Sequence, residues 1–132
     1  MTRRDIVVPA RTALTWLAVL LVIALFVQFF TAGMAAMTNP EWWSYHQAWV
    51  AVFQWLVVPL PIVAWLGALG WRSIGLAAMP IIQIALQYVL VHRALEGRLA
   101  IGVGLHAVNA ALMLVVVTII AAVSFRARGA PM

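Results

Sequence analysis

Residues 12–36 read TALTWLAVLLVIALFVQFFTAGMAA, a stretch without one charged side chain and with an unbroken apolar run from Leu17 to Val27. A helix needs ~20 mostly apolar residues to cross a bilayer, and this stretch supplies them. Three more follow: Trp42–Trp71, Ser73–His92 and Leu99–Phe125 contain no Asp, Glu, Lys or Arg. The spacing predicts helices near 12–36, 41–69, 74–95 and 99–125. Between them lie only Thr38-Asn39-Pro40, Gly70-Trp71-Arg72-Ser73 and Glu96-Gly97-Arg98. Connections that short turn each helix back on its predecessor. The expected fold class is all-α: an integral membrane, antiparallel up-down four-helix bundle, one transmembrane domain over residues 1–132. In the second span Val58-Pro59-Leu60-Pro61 predicts a bend near Trp55–Pro59, because each proline removes a donor and crowds the carbonyl four residues back.

Composition excludes several classes of function. The chain is 67% hydrophobic and 8% charged, against about 25% charged in soluble domains. Lipid must replace water as the main solvent, so the bilayer is the first expected partner. The net charge of +5 does not predict nucleic acid, since the arginines sit at segment ends and not on one stripe. With no cysteine and no lysine, disulfides, thiolate metal sites and Schiff-base chemistry are excluded. No nucleophile–base pair or phosphate loop is visible, so the chain is not expected to be an enzyme by itself.

Arginine counting sets the expected orientation. Arg3, Arg4 and Arg11 precede the first span, Arg72 lies between the second and third, and Arg126 and Arg128 follow the fourth. These six share one side, which the positive-inside rule makes cytoplasmic, together with both termini. Arg93 and Arg98 share the other side with Glu41 and Glu96. Tryptophans agree: Trp16 and Trp71 fall at the inner edge, Trp42 and Trp43 at the outer. An arginine-led first helix also suits a cleaved signal peptide, but its apolar run exceeds a usual signal core. The lack of lysine beside abundant alanine and arginine suggests a GC-rich bacterial genome, hence the bacterial cytoplasmic (inner) membrane. The tail Arg126–Met132 is expected to fray.

Ionisable groups at membrane depth are costly and usually functional. All three histidines fall in the outer half. At ~1.5 Å rise per residue, His46 lies ~8 Å and His106 ~10 Å below the outer edge, one shared level; His92 lies only ~5 Å deep. In an up-down bundle the second and fourth helices are diagonal, so His46 and His106 face each other across the core. Two imidazoles on opposite sides of a flat disc are what a heme needs. The expectation is one heme b with His46 and His106 as axial ligands. Gly102, His106, Asn109 and Met113 share one helical face, and Gly102 would leave room for a ring edge. Gln28 and Asn109 would orient the ligand histidines. Arg98, with Arg93, would meet propionates at the outer mouth.

Rival readings stand beside this one. His92, with Glu96 one turn on, reads as an interfacial residue, and His46 reads the same way if its helix begins late. His106 and Asn109 suit a buried hydrogen-bond network joining helices. Gln47, Gln54 and Gln83 read as interhelical glue, and Trp49, Trp55 and Trp65 as packing or lipid contact. Two whole-chain alternatives follow: an accessory subunit bound to a membrane-protein partner or to a second copy, and a copper or zinc site made by His46, His92 and His106.

Gln28-Phe29-Phe30-Thr31-Ala32-Gly33, His46 near the head of the second helix, Gln87 late in the third, and Leu105-His106-Ala107-Val108-Asn109 form a pattern. Over about residues 15–125 it resembles a family of small bacterial four-helix membrane proteins with Gln-x-Phe-x-Ala-Gly, His and Leu-His-x-x-Asn motifs. More loosely it is similar to transmembrane b-type cytochromes, which implies electron transfer, heme handling or redox sensing. The chain departs from the diheme cytochromes by lacking a second histidine pair in the inner half, which implies one heme per chain.

Overall fold

A computed structural model describes residues 2–129. Helix α1 runs Arg3–Met37, α2 Trp42–Phe53, α3 Pro59–Leu66, α4 Gly70–Leu95 and α5 Gly102–Arg128, with a 3-10 turn Gln54–Val57 between α2 and α3. Taken with that turn, α2 and α3 form one span, giving four helices long and apolar enough to cross a membrane. The described residues contain no strand.

Helix α1 starts nine residues ahead of the expected position. The Thr2 backbone N–H donates to the Asp5 carboxylate at 2.7 Å, satisfying one of the donors that a helix start leaves open. Arg3, Arg4 and Arg11 therefore lie on the helix and do not precede it. At the other end of the chain, Arg126 and Arg128 belong to the last turn of α5. The expected fraying of Arg126–Arg128 is corrected; residues 130–132 lie outside the described residues.

The break in the second span falls where the prolines place it. The Trp55 carbonyl accepts from Val58 N–H at 3.3 Å, because Pro59 has no N–H to offer it. The chain tightens to 3-10 over Gln54–Val57 and restarts as α3 with Pro59 in its first turn, a position that tolerates proline.

Cross-chain contacts establish the antiparallel order. The start of α1 meets the ends of α3 and α5 through Arg11. The start of α5 meets the end of α4 at Gly102. Helix α1 packs on α2, α3 and α5, and α4 packs on α3 and α5. Among the described residues the α5 backbone comes close to neither α2 nor α3, and the α1 backbone does not come close to α4. The four spans thus stand at the corners of a square, with the second and fourth on one diagonal. The core is a stripe of Leu14, Ala18, Leu21 and Leu25 on α1 against Phe53, Val57, Leu60, Met113 and Val117. It forms a dry layer between two polar ends.

Helix α2 is the exception to tight packing. Its backbone approaches α1 and the 3-10 turn but not α4, which meets the second span only from Gln54 onward. Phe53 is its one buried residue. Beyond the break α2 has no close backbone approach to α4, at the end of the bundle remote from the termini.

A candidate ligand site between His46 and His106

At that end four helices carry polar side chains, which meet in pairs between α1 and α2 and between α4 and α5. Gln28 on α1 and His46 on α2 meet at 2.8 Å between Nε2 atoms. Thr31, one turn along α1, places its hydroxyl 3.4 Å from His46 Nδ1. Gln28 and Thr31 therefore face α2. Trp49, one turn below His46, donates Nε1–H to the Ala24 carbonyl at 2.9 Å and fixes the height of α2 on α1. Trp43 stands edge-on to the His46 ring at 5.4 Å.

His106 is held from the opposite corner. Its Nδ1 lies 3.4 Å from the Gln87 carbonyl on α4. A proton on Nδ1 serves that carbonyl and leaves Nε2 with its lone pair, the tautomer that a metal-binding imidazole needs. The Gln28 amide N–H likewise donates to a lone pair on His46 Nε2. Both imidazoles are half-buried. They stand on the two diagonal helices at the same end of the bundle.

Three further groups lie unpaired around them. The side-chain oxygens of Gln28, Gln83 and Gln87 are buried and accept no hydrogen bond. Gln83 and Gln87 are 6% and 8% exposed. Leaving a buried acceptor unmet costs about 1–3 kcal/mol.

Several site expectations change. Asn109 points inward as expected, but its amide donates to the Gln83 carbonyl at 2.9 Å and joins α5 to α4; it does not orient a histidine. Gly102 leaves no room for a ring edge. A Cβ there would lie 2.6 Å from the Leu90 carbonyl and 2.9 Å from Ala94 Cβ, because α4 already uses the space. Arg98 and Arg93 both turn to Glu96, at 3.5 and 3.4 Å, with exposed side chains. His92 is exposed and lies 2.7 Å from the Tyr88 carbonyl, so it stays apart from the other two histidines. Among the described residues no three metal-ligating side chains gather, and the three-histidine copper or zinc arrangement is not formed.

The residue that the sequence hides is Arg11. It is 8% exposed, and donates Nε–H to the Gly67 carbonyl at 2.9 Å and NH1 to the Ala127 carbonyl at 2.6 Å. One guanidinium thus caps the C-terminal ends of two helices, where carbonyls lack partners and the helix dipole is negative. Thr15, one turn on, reaches Ser124 at 3.1 Å. In the sequence Arg11 looks like one more flanking arginine; its only distinction is that it lies inside the apolar period of Val7, Leu14 and Ala18.

Compared with known proteins, the chain matches one family model, described as a family of unknown function (DUF6220), over residues 28–95. That range is just over half of the chain and holds Gln28, His46, Gln83 and Gln87. No curated protein matches. No solved structure matches. The chain belongs to the family of unknown function DUF6220.

Proposed function

We propose that this chain lies in the bacterial cytoplasmic membrane with both termini inside, and that His46 and His106 hold one heme b near the outer face. It would serve electron transfer, heme handling or redox sensing and have no catalysis of its own. One observation carries the reading: the second and fourth helices lie on one diagonal of the bundle, and each carries a half-buried imidazole at the end remote from the termini. The lack of close backbone approach between α2 and α4 supports it, since a flat ring would need room there. The Gln87 carbonyl on His106 Nδ1 supports it by leaving Nε2 to the metal. Once bound, a heme supplies one-electron chemistry through its iron. The protein's part would be to present an imidazole nitrogen from each helix, and to exclude water from the inner side with the Leu21–Leu25–Met113–Val117 layer. For His46 to serve, Gln28 must give up its contact with Nε2.

That contact, with the filled space at Gly102, favours a second reading. Here the outer cluster is an interhelical network in an accessory subunit, and the half-packed α2 is the face offered to a membrane partner or a second copy. Absorption spectroscopy separates the two. Protein purified from heme-replete cells, or titrated with hemin, is expected to show a Soret band. His46→Ala and His106→Ala should lose or shift it, and His92→Ala should keep it. A colourless wild type, or an unaltered band in His106→Ala, leaves the accessory-subunit reading.

A further inference from the structure

At the opposite end of the bundle α1 and α5 border a groove. Thr12 and Val8 on α1 and Phe125, Arg126 and Arg128 on α5 line an open groove of about 580 Å³. The Arg128 guanidinium lies over the Phe125 ring, 5.4 Å from its centre, so its charge is held beside the groove. Among the described residues both ion-paired arginines are at the far end, on Glu96. Asp5, the one acid near this end, is engaged by the Thr2 N–H. A helix C-terminus ordinarily repels anions. Here Arg11 already serves the Ala127 carbonyl, so the local field at the end of α5 is that of the arginines. Phe125 and Val8 give the same groove an apolar wall.

We infer that this groove binds the phosphate of an anionic glycerophospholipid from the inner leaflet, with Arg126 and Arg128 on the headgroup and an acyl chain against Phe125 and Val8. A cationic mouth over an apolar wall fits a lipid better than a free anion, which has no use for the wall. The inference rests on the membrane orientation proposed above and is independent of heme.

The test uses the full chain in zwitterionic phosphatidylcholine nanodiscs with graded phosphatidylglycerol, read by native mass spectrometry. Wild type is expected to retain one phosphatidylglycerol. The double variant Arg126→Gln/Arg128→Gln should hold it roughly thirtyfold more weakly, the order expected for two interfacial arginines. Circular dichroism checks that the variant keeps its helices; these side chains are exposed, so folding should survive. Arg93→Gln/Arg98→Gln, at the other end, should change nothing. Equal retention of both lipids, or equal loss in both double variants, overturns the site. Displacement of the lipid by millimolar inorganic phosphate also overturns it, in favour of a free anion.

Discussion

At the scale of single residues, the two polar ends work differently. Three buried glutamine oxygens at the histidine end lack donors, whereas Arg11 gives its donors to two helix ends. Hydrogen bonds to charged groups contribute roughly 1.5–3 kcal/mol each. Arg11→Leu should therefore lower unfolding stability by about 2 kcal/mol or more, and Arg11→Lys, a point donor without a fork, should recover only part. Reversible unfolding in mixed micelles measures both; an unchanged midpoint for Arg11→Leu would show that the clamp holds nothing together. The glycines of α5 give a second contrast. Gly102→Ala puts a methyl 2.6 Å from the Leu90 carbonyl and should cost about 1–3 kcal/mol through overpacking. Gly104 has open space around it, so Gly104→Ala should be neutral or stabilising by up to ~1 kcal/mol. The inward stripe on α5 was readable from spacing alone, since Gly102, Asn109 and Met113 are all buried. The partner of each residue was not. Whether Asn109 meets a histidine or the Gln83 carbonyl depends on the rotation of α4, which periodicity does not carry.

At the scale of elements, proline chemistry made the bend in the second span legible, and the bend governs the site. It lets α2 depart from α4 while Tyr88 still donates to Gln54 at 2.9 Å at the point of divergence. With Pro59→Ala/Pro61→Ala, donors return at both positions and the span should straighten. Spin labels at Ala48 and Val89 should then move closer than in the wild type, by pulsed electron resonance. An unchanged distance would place the cause of the lean elsewhere. The start of α1 was less legible. Arg3, Arg4 and Arg11 look like a flank because charge counting sees only polarity, yet Val7, Ala10, Arg11 and Leu14 are all buried on the face that meets α3 and α5. Pro9 in the first turns hid the helix further.

At the scale of the whole molecule, four apolar stretches and three short connections were enough to expect the square bundle and its diagonal pairs. Orientation in the bilayer is a separate matter, testable because the chain has no cysteine of its own. Single cysteines placed at Thr2 and Gly129 should react with an impermeant maleimide only from inside, and one at Gly97 only from outside; any exchange of sides refutes the orientation. The two histidines were legible as candidates, because depth and connectivity alone suggest pairing His46 with His106. The unpaired glutamine oxygens were not, since burial and the lack of a partner are facts of three dimensions. The central proposal is that these two imidazoles share one iron. Low-temperature electron paramagnetic resonance of the oxidised, heme-loaded chain tests it most directly. A single low-spin species typical of two imidazole ligands, converted to high-spin by His46→Ala or His106→Ala and untouched by His92→Ala, is the predicted result; a high-spin wild type, or no bound heme to oxidise, contradicts it.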